Sequence, residues 1–253
     1  MQRFFHGRNL LYLGVVSVAL VIAVVLILVS AIGSSSAETT PSVPTQTTTG
    51  GSTTPVAPAR APGAGTTEAL FRGIPQQLNQ LGKPDAKVTM IEFSDPQCPY
   101  CRQYEVETLP TIIKEYVRTG KVKLVYFGIP ILGANSEQGL RAVYAAGLQD
   151  KLWNFSHLLY KSQGAEHSGW ITDDLLRRIG DSIPGFDTQK MMADRQSAEV
   201  QAALSAAEQQ ATNGRVDRTP TFFAGRTGGT LQHVPLTVLT PEAFRPTLDA
   251  LTR

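Results

Sequence analysis

The longest apolar run of the chain lies near its amino terminus, where residues 10–32 are uncharged and almost wholly apolar. As a helix rising about 1.5 Å per residue, these 23 residues would extend roughly 35 Å, enough to cross a hydrocarbon core of about 30 Å. Arg3 and Arg8 precede the run and no acidic residue does, so the positive-inside rule predicts that residues 1–9 remain in the cytoplasm. We therefore predict a single-pass transmembrane helix that holds the rest of the chain on the extracytoplasmic side of the cytoplasmic membrane.

A cleaved signal peptide is the alternative for this segment, because small residues suited to cleavage follow it at Ser35, Ser36 and Ala37. Signal peptides usually have an apolar core of about 7 to 15 residues, so the longer run favours an uncleaved anchor. Both interpretations export the following domain.

Residues 33–67 are rich in Ser, Thr, Pro, Gly and Ala and contain almost no large apolar side chains. Such a composition cannot offset the entropy lost on ordering, so we predict a disordered linker. Residues 68–253 then remain as one domain, long enough to bury a sizeable core.

Two strand patterns flank a helix pattern at the start of this domain. Residues 87–95 (KVTMIEFSD) and 121–129 (KVKLVYFGI) mix β-branched and aromatic side chains, as buried strands do. Pro99 favours the first turn of a helix, and Pro110 predicts a kink within it. Apolar residues recur on one face of this helix at Val106, Leu109, Ile113 and Tyr116. The three elements predict a right-handed βαβ unit with parallel strands.

A helical stretch and a ββα pattern complete the domain. Good helix formers dominate residues 134–214, and Asn135 or Ser136 is the expected N-cap of the first helix. Residues 219–236 have the pattern of an antiparallel hairpin, and Thr240, followed by a proline, is the expected N-cap of the last helix. The order predicts an α/β domain in which helices about 134–214 interrupt a βαβ…ββα arrangement.

The chemistry is concentrated in EFSDPQCPYC, residues 92–101, which holds the only two cysteines of the chain, Cys98 and Cys101. A Cys-x-x-Cys pair can bind zinc, form a small structural disulfide or act as a redox centre. Zinc is disfavoured because the other candidate ligands lie far away without the usual spacing: His157, His167 and His233. A disulfide across so short a loop adds little stability, so a redox centre is favoured.

The strand-to-helix turn is a suitable place for redox chemistry. At the helix N-terminus the dipole and the free N–H groups would favour the Cys98 thiolate by about 1 kcal/mol. Cys101 lies one turn later and can reach back to the first sulfur to release a bound substrate. Glu92, on the preceding strand, could exchange a proton with Cys101 if its side chain points inward. An exposed strand residue is the competing interpretation of Glu92.

Charge and composition exclude other functions. Of 23 basic and 21 acidic residues, three basic and one acidic precede residue 68, so the domain carries equal numbers of both. No basic tract interleaved with aromatic residues occurs, which argues against nucleic-acid binding.

In the helical stretch, we expect Trp153 and Tyr160 to lie in the core and His157 to be an ordinary polar helix residue.

Three segments together resemble the DsbA-like thioredoxin-fold proteins, which are exported thiol-disulfide oxidoreductases of bacteria. They are LGKPDAKVTMIEFSDPQCPYC (81–101), KLWNFSHLLY (151–160) and TPTFF (219–223). The similarity covers about residues 81–253 and implies a thioredoxin fold with an inserted helical domain.

The resemblance also implies roles for individual residues. Cys98 matches the nucleophile, Cys101 the resolving cysteine, and Glu92 the buried acid six positions before the first cysteine. Pro220, preceded by Thr219, matches the cis-proline that faces the pair. The positions expected to contact substrate are Pro99, Tyr100, Thr219 and Pro220.

Two residues depart from the family pattern. Tyr100 stands where the most oxidising members carry His, and Arg218 stands where Gly is common. Because Tyr100 carries no positive charge to stabilise a thiolate, we expect a weaker oxidant than the members with His.

The implied function is disulfide formation in exported cysteine-containing proteins through the Cys98–Cys101 redox disulfide, with no other cofactor and no metal. A DsbB-like or VKOR-like membrane partner is expected to reoxidise the pair, and the chain's own helix to attach it to the cell membrane. We expect a monomer without a nucleic-acid partner. A disulfide reductase or isomerase of the same fold is the alternative. A redox-inactive binding module is a further one, against which the intact cysteine pair argues.

Overall fold

The computed structural model of the protein describes residues 60–253. The predicted cytoplasmic tail 1–9, the transmembrane helix 10–32 and most of the 33–67 linker lie outside the described residues. Between residues 60 and 253, no helix combines the length and the apolar character that a membrane crossing needs.

Residues 60–253 contain both strands and helices. The strands are β1 (Gln76–Gln77), β2 (Gln80–Leu81), β3 (Val88–Ser94), β4 (Val122–Gly128), β5 (Thr221–Arg226) and β6 (Gln232–His233). The helices are α1 (Ala64–Phe71), α2 (99–117), α3 (Ala134–Gly147), α4 (Leu152–Lys161), α5 (Asp173–Asp181), α6 (Thr188–Asp194), α7 (Ala198–Gly214) and α8 (Pro241–Thr252).

The strands form one mixed sheet in the order β1-β2-β4-β3-β5-β6. β3 lies parallel to β4, and α2 connects the two, so the predicted βαβ unit is present. β5 pairs antiparallel with β3 and with β6, and α8 follows, which gives the predicted ββα part. Helices α3 to α7 lie between β4 and β5, where the sequence predicts a helical block. The fold is therefore a thioredoxin-like α/β fold with a mixed sheet.

Helix α2 passes through Pro110 without ending. It consists of the α-helical segments Pro99–Gln103 and Leu109–Ile112 and the wider π-helical turns Tyr104–Thr108 and Ile113–Val117. In the first wide turn, the N–H of Leu109 bonds to the carbonyl of Tyr104, five residues earlier. A proline has no N–H and its ring crowds the carbonyl four residues back, so a wide turn immediately before it accommodates both constraints. The helix therefore continues past Pro110, as predicted, with a wide turn before it.

Helix α4 is buried on every side. Every residue from 152 to 160 is at most 7% exposed, because α1, α2, α3 and α5 all pack around this helix. The prediction that Trp153 and Tyr160 lie in the core is confirmed. The prediction for His157 is wrong, because this side chain is only 2% exposed.

The linker predicted to extend to Thr67 ends earlier than expected. α1 begins at Ala64, and Ala61, Ala64 and Thr67 are buried. The N–H of Ala61 donates to the hydroxyl of Ser182 at 2.7 Å, which fastens this segment to the end of α5. Small residues typical of linkers can also pack closely against a helix, so composition alone places this boundary too late.

The predicted N-cap of α3 is also wrong. Gly133, with a φ of 93°, holds the N-cap position instead of Asn135 or Ser136. Both predicted caps make long-range hydrogen bonds: the Asn135 side chain bonds to the backbone of Ile171, and the Ser136 hydroxyl donates to Asp95. Their polar groups are thus used in tertiary contacts.

Candidate active site

Cys98 lies at the N-cap of α2 in extended backbone conformation, with Pro99 at the first helical position. Its sulfur accepts a hydrogen bond from the N–H of Cys101 at 3.4 Å, and its thiol donates to the carbonyl oxygen of Thr219 at 3.3 Å. Both cysteines are free thiols in this structure. The helix start and the loop before β5 thus meet at this sulfur.

The surroundings of Cys98 favour its thiolate. A hydrogen bond from the Cys101 thiol, supported by the Thr219 side chain and the N–H groups of Cys101 and Tyr100, lowers the pKa of Cys98 to about 6, although burial acts in the opposite direction. The Thr219 carbonyl favours the protonated thiol, but the donors aimed at the sulfur outnumber this single acceptor. Cys98 is therefore the readily ionised thiol of the pair.

Cys101 has the opposite environment. It is fully buried, and burial raises the pKa of its thiol well above the ordinary value, with a further upward effect from Cys98. The hydroxyl of Ser94 acts in the opposite direction. Among residues 60–253, no group of three or more His, Cys, Asp or Glu side chains is arranged to hold a metal ion. One ionisable and one protonated thiol suit disulfide exchange, in which the first attacks and the second resolves.

The loop before β5 faces the cysteine pair. The Thr219–Pro220 peptide bond is cis. A cavity of about 570 Å³ opens beside it, lined by Tyr100, Thr219, Pro220, Phe222 and the segment 233–239. Tyr100 is 64% exposed and can contact a substrate, and Pro99 beside it is exposed. The structure therefore brings all four residues expected to contact substrate to one surface around Cys98.

Glu92 points inward, so the interpretation of an exposed strand residue is wrong. It pairs in register with Tyr126 on β4 and Phe222 on β5, and its side chain is only 1% exposed. Burial, and then the neighbouring Glu105, raise the pKa of Glu92 well above its usual range, while the side chain of Tyr104 acts in the opposite direction. Burial therefore favours the protonated form of Glu92.

Glu105 and His157 are functional candidates that the sequence analysis missed. Burial raises the pKa of Glu105 to about 8 and lowers the pKa of His157 to about 3. The Nδ1 atom of His157 lies 3.5 Å from a carboxyl oxygen of Glu105. Spacing could have identified Glu105, because it lies four residues after Cys101 and thus on the same face of α2.

Asp95 and Gln97 fix the loop that leads into Cys98. The buried carboxylate of Asp95 accepts hydrogen bonds from the N–H of Gln97, the hydroxyl of Ser136 and the N–H of Leu132, at 2.8, 2.6 and 2.8 Å. The Gln97 side chain donates to Ser136 at 2.9 Å and to the Leu132 carbonyl at 3.0 Å. The segment before the nucleophile is thereby bound to α3 and to the loop before it. No spacing pattern in the sequence indicates these contacts.

Two neighbouring thiols of such different acidity can pass a disulfide to a substrate and recover it. Here they lie at the start of helix α2, which follows a central strand of the thioredoxin-like sheet. The fold and the site together define a thiol-disulfide oxidoreductase. Residues 76–244 match the sequence model of the family described as Thioredoxin. The chain belongs to this family, and within it to the DsbA-like thiol-disulfide oxidoreductases.

Individual relatives agree with this placement. The chain is 34% identical over 146 residues to the "Probable disulfide bond formation protein D" of Bacillus cereus, covering 56% of this chain and 68% of the relative. The crystal structure of oxidised BdbD from Bacillus subtilis shares the fold with a TM-score of 0.60 at 20% identity, covering 71% of this chain and 97% of that one. A thioredoxin-like oxidoreductase from Silicibacter pomeroyi aligns with a TM-score of 0.54 at 29% identity, over 72% and 95% of the two chains.

Proposed function

We propose that this protein is a membrane-tethered enzyme that acts outside the cytoplasm and donates the Cys98–Cys101 disulfide to exported cysteine-containing proteins. The observation that carries the proposal is the difference in acidity between the two thiols. Cys98 ionises below neutral pH, so the reduced form of the enzyme gains stability by releasing a proton from it. An enzyme whose reduced form is stabilised in this way is a better oxidant.

The reaction has two exchanges. A substrate thiolate attacks the sulfur of Cys98, the Cys98–Cys101 bond breaks, and the electron pair leaves on the sulfur of Cys101, which then takes up a proton. A second thiolate of the substrate then attacks the substrate sulfur that is bonded to Cys98. This forms the substrate disulfide and releases Cys98 as a thiolate. Glu92, whose burial favours the protonated form, is the proposed proton source for Cys101.

The size of the oxidising effect follows from the acidity of Cys98. With a pKa of about 6, Cys98 is about nine-tenths ionised at pH 7. This favours the reduced enzyme by at most about 1.4 kcal/mol, or about 30 mV, and by less to the extent that solvent screens the thiolate. Tyr100 adds no positive charge, so we propose a moderate oxidant that depends on a DsbB-like or VKOR-like membrane partner for its reoxidation.

The tether rests on the sequence of residues 10–32. An uncharged apolar run of membrane-spanning length, preceded by Arg3 and Arg8, supports an anchor with the enzyme domain on the extracytoplasmic side. Attachment would keep the enzyme close both to emerging exported chains and to a membrane-bound redox partner.

The decisive experiment measures the reduction potential of the domain in a glutathione series and follows disulfide formation in a reduced, unfolded substrate with several cysteines. We expect catalysed disulfide formation with stoichiometric reduction of the Cys98–Cys101 pair, and a higher potential in Tyr100→His than in the native chain. A potential near about −270 mV, the value of thioredoxin, with faster reduction than oxidation of substrates, would replace this proposal with the reductase function.

A further inference from the structure

One edge of the substrate cavity carries a local positive charge. Among the described residues that line the cavity beside Thr219, those with a fixed charge are Arg215, Asp217 and Arg218. The two arginines outweigh the single acid. Because residues 68–253 as a whole carry equal numbers of basic and acidic side chains, this charge is a feature of the cavity edge and not of the domain.

Arg218 combines a fixed backbone with an exposed side chain. The hydroxyl of Thr221 donates a hydrogen bond to the carbonyl oxygen of Arg218 at 2.8 Å, which holds the backbone at this point. The next residue, Thr219, accepts the hydrogen bond from the Cys98 thiol at 3.3 Å. The Arg218 side chain is nevertheless 79% exposed. A guanidinium group is therefore presented to solvent from a residue adjacent to the one that contacts the nucleophile.

Only one edge of this guanidinium is paired among the described residues. Its Nε and Nη2 atoms donate to the two carboxylate oxygens of Asp217, at 2.9 and 3.3 Å. The remaining N–H bonds, on Nη1 and Nη2, form the outer end of the group, which has the geometry to bind a second carboxylate through two parallel hydrogen bonds. Asp217 thus orients the guanidinium and leaves its outer end to a carboxylate from another molecule.

The fold does not depend on the Arg218 side chain. Both partners of the ion pair are largely exposed, and an exposed pair contributes little to stability. Gly is common at this position in the DsbA-like family, so the loop does not require a side chain here. An exposed cation that the fold does not need, placed at the substrate cavity, is suited to recognition.

The neighbours of a bound substrate cysteine lie within the reach of Arg218. When a substrate sulfur is bonded to Cys98, an extended substrate chain rises about 3.3 Å per residue, so residues two or three positions away lie about 7 to 10 Å from its cysteine. Arg218 begins only about 3.8 Å, one Cα step, from Thr219. Its long side chain can therefore meet a carboxylate in this part of the substrate.

We propose that Arg218 determines substrate specificity by favouring exported chains that carry Asp or Glu within about three residues of the cysteine that exchanges with Cys98. The inference rests on the proposed function and names its preferred class of substrate. Tyr100 and Val238, which are exposed in the same cavity, supply apolar surface for the rest of the bound segment. The favoured substrate is thus an acidic cysteine-containing segment with an apolar neighbour.

The test uses peptides with one cysteine that differ only in a single neighbour, which is Asp, Asn or Lys and is placed in turn at each position of this window. The oxidised full-length chain is mixed with each peptide, and rapid quenching gives the rate at which the Cys98–peptide disulfide forms. The Asp-to-Asn ratio of rates is then compared between the native chain and a variant, so that the effect of the charge on the peptide thiol itself cancels. An exposed ion pair predicts a ratio about two- to fivefold higher in the native chain than in Arg218→Gln at the best position, and high salt should reduce this difference.

A second arginine on the same strand provides the control. Arg226 is exposed at the far end of β5, so Arg226→Gln removes the same charge away from the cavity and should keep the native ratio. Arg218→Glu should instead shift the preference to the Lys peptides. Equal Asp-to-Asn ratios in the native chain and Arg218→Gln, or an equal fall of the ratio in Arg226→Gln, would overturn the inference. Failure of the native chain to react with the peptides or with the uncharged thiol 2-mercaptoethanol would contradict the proposed function instead.

Discussion

The acidity of Cys98 depends first on the thiol of Cys101, so removing that thiol should make Cys98 less acidic. The hydrogen bond from the Cys101 thiol is the largest of the influences that lower the pKa of Cys98 to about 6. A hydrogen bond to a charged group is worth roughly 1.5 to 3 kcal/mol, which corresponds to about one to two pKa units. Cys101→Ala should therefore raise the pKa of Cys98 into the range of about 7 to 8. The ionised fraction at pH 7 should fall from roughly nine-tenths to between about a half and a tenth.

The assay is the pH dependence of Cys98 alkylation, supported by the ultraviolet absorbance of the thiolate. Cys101→Ser is the matched control, because its hydroxyl can still donate to the Cys98 sulfur while the resolving thiol is lost. We expect its midpoint to remain near that of the native chain. Midpoints that stay near the native value in both the Ala and the Ser variant would refute the reasoning and assign the low pKa to the Thr219 side chain and the backbone N–H groups of Cys101 and Tyr100.

Four further outcomes are expected. Cys101→Ser should accumulate mixed disulfides with exported proteins and Cys98→Ser should not; equal trapping on non-reducing gels would contradict the division between the two thiols. Asp95→Asn should lower stability by about 2 kcal/mol in urea unfolding, because its new N–H₂ group meets the donors of Gln97 or Leu132, whereas the exposed Asp85→Asn should change little. The pKa of Glu105 is about 8 in the folded chain and about 4.5 when unfolded. The contribution of this carboxyl group to stability is therefore present below pH 4.5 and is lost as the pH rises to 8. Glu105→Gln should raise the melting temperature relative to the native chain by an amount that grows over this pH interval, whereas the control Glu107→Gln, at an exposed position, should not. Fractionation and protease accessibility should find the full chain attached to the membrane with its domain outside, and recovery of a soluble form starting near Glu38 would contradict the anchor.

The elements of the fold were predictable from sequence where hydrophobic periodicity was strong. Both central strands, the helix at Pro99 and the helix after Thr240 occur within a residue or two of the expected positions. The hairpin of β1 and β2 was not predicted, because the segment QQLNQL lacks β-branched residues and alternation. Its pairing with β4 is a tertiary effect that no local pattern contains.

The candidate site was predictable only where a motif or a helical spacing marks a residue. The Cys-x-x-Cys motif identifies the two cysteines, and the family resemblance indicated Glu92 and Pro220. His157 was misjudged because a polar residue in an amphipathic helix is normally placed on the solvent side, whereas α4 has no solvent side at all. Ser94 and Asp95 were missed for another reason: their partners, on α4, on α3 and in the loop before α3, are more than thirty residues away in sequence.

The active-site loop is held mainly by the inserted helices, although the strand and helix that carry it belong to the thioredoxin part. Ser94 bonds to Tyr160, and Asp95 bonds to Ser136. The Gln163 side chain, just beyond α4, donates to the carbonyls of Pro96 at 2.7 Å and Cys98 at 3.0 Å. The dipole of α2 can favour a thiolate only if the sulfur lies on the helix axis near the free N–H groups, since the effect falls off within one turn. By fixing the backbone on the N-terminal side of Cys98, the insertion keeps the sulfur in that position. The acidity of Cys98 therefore depends on contacts from two parts of the chain, and a change in α3 or α4 can alter the redox chemistry without touching either cysteine.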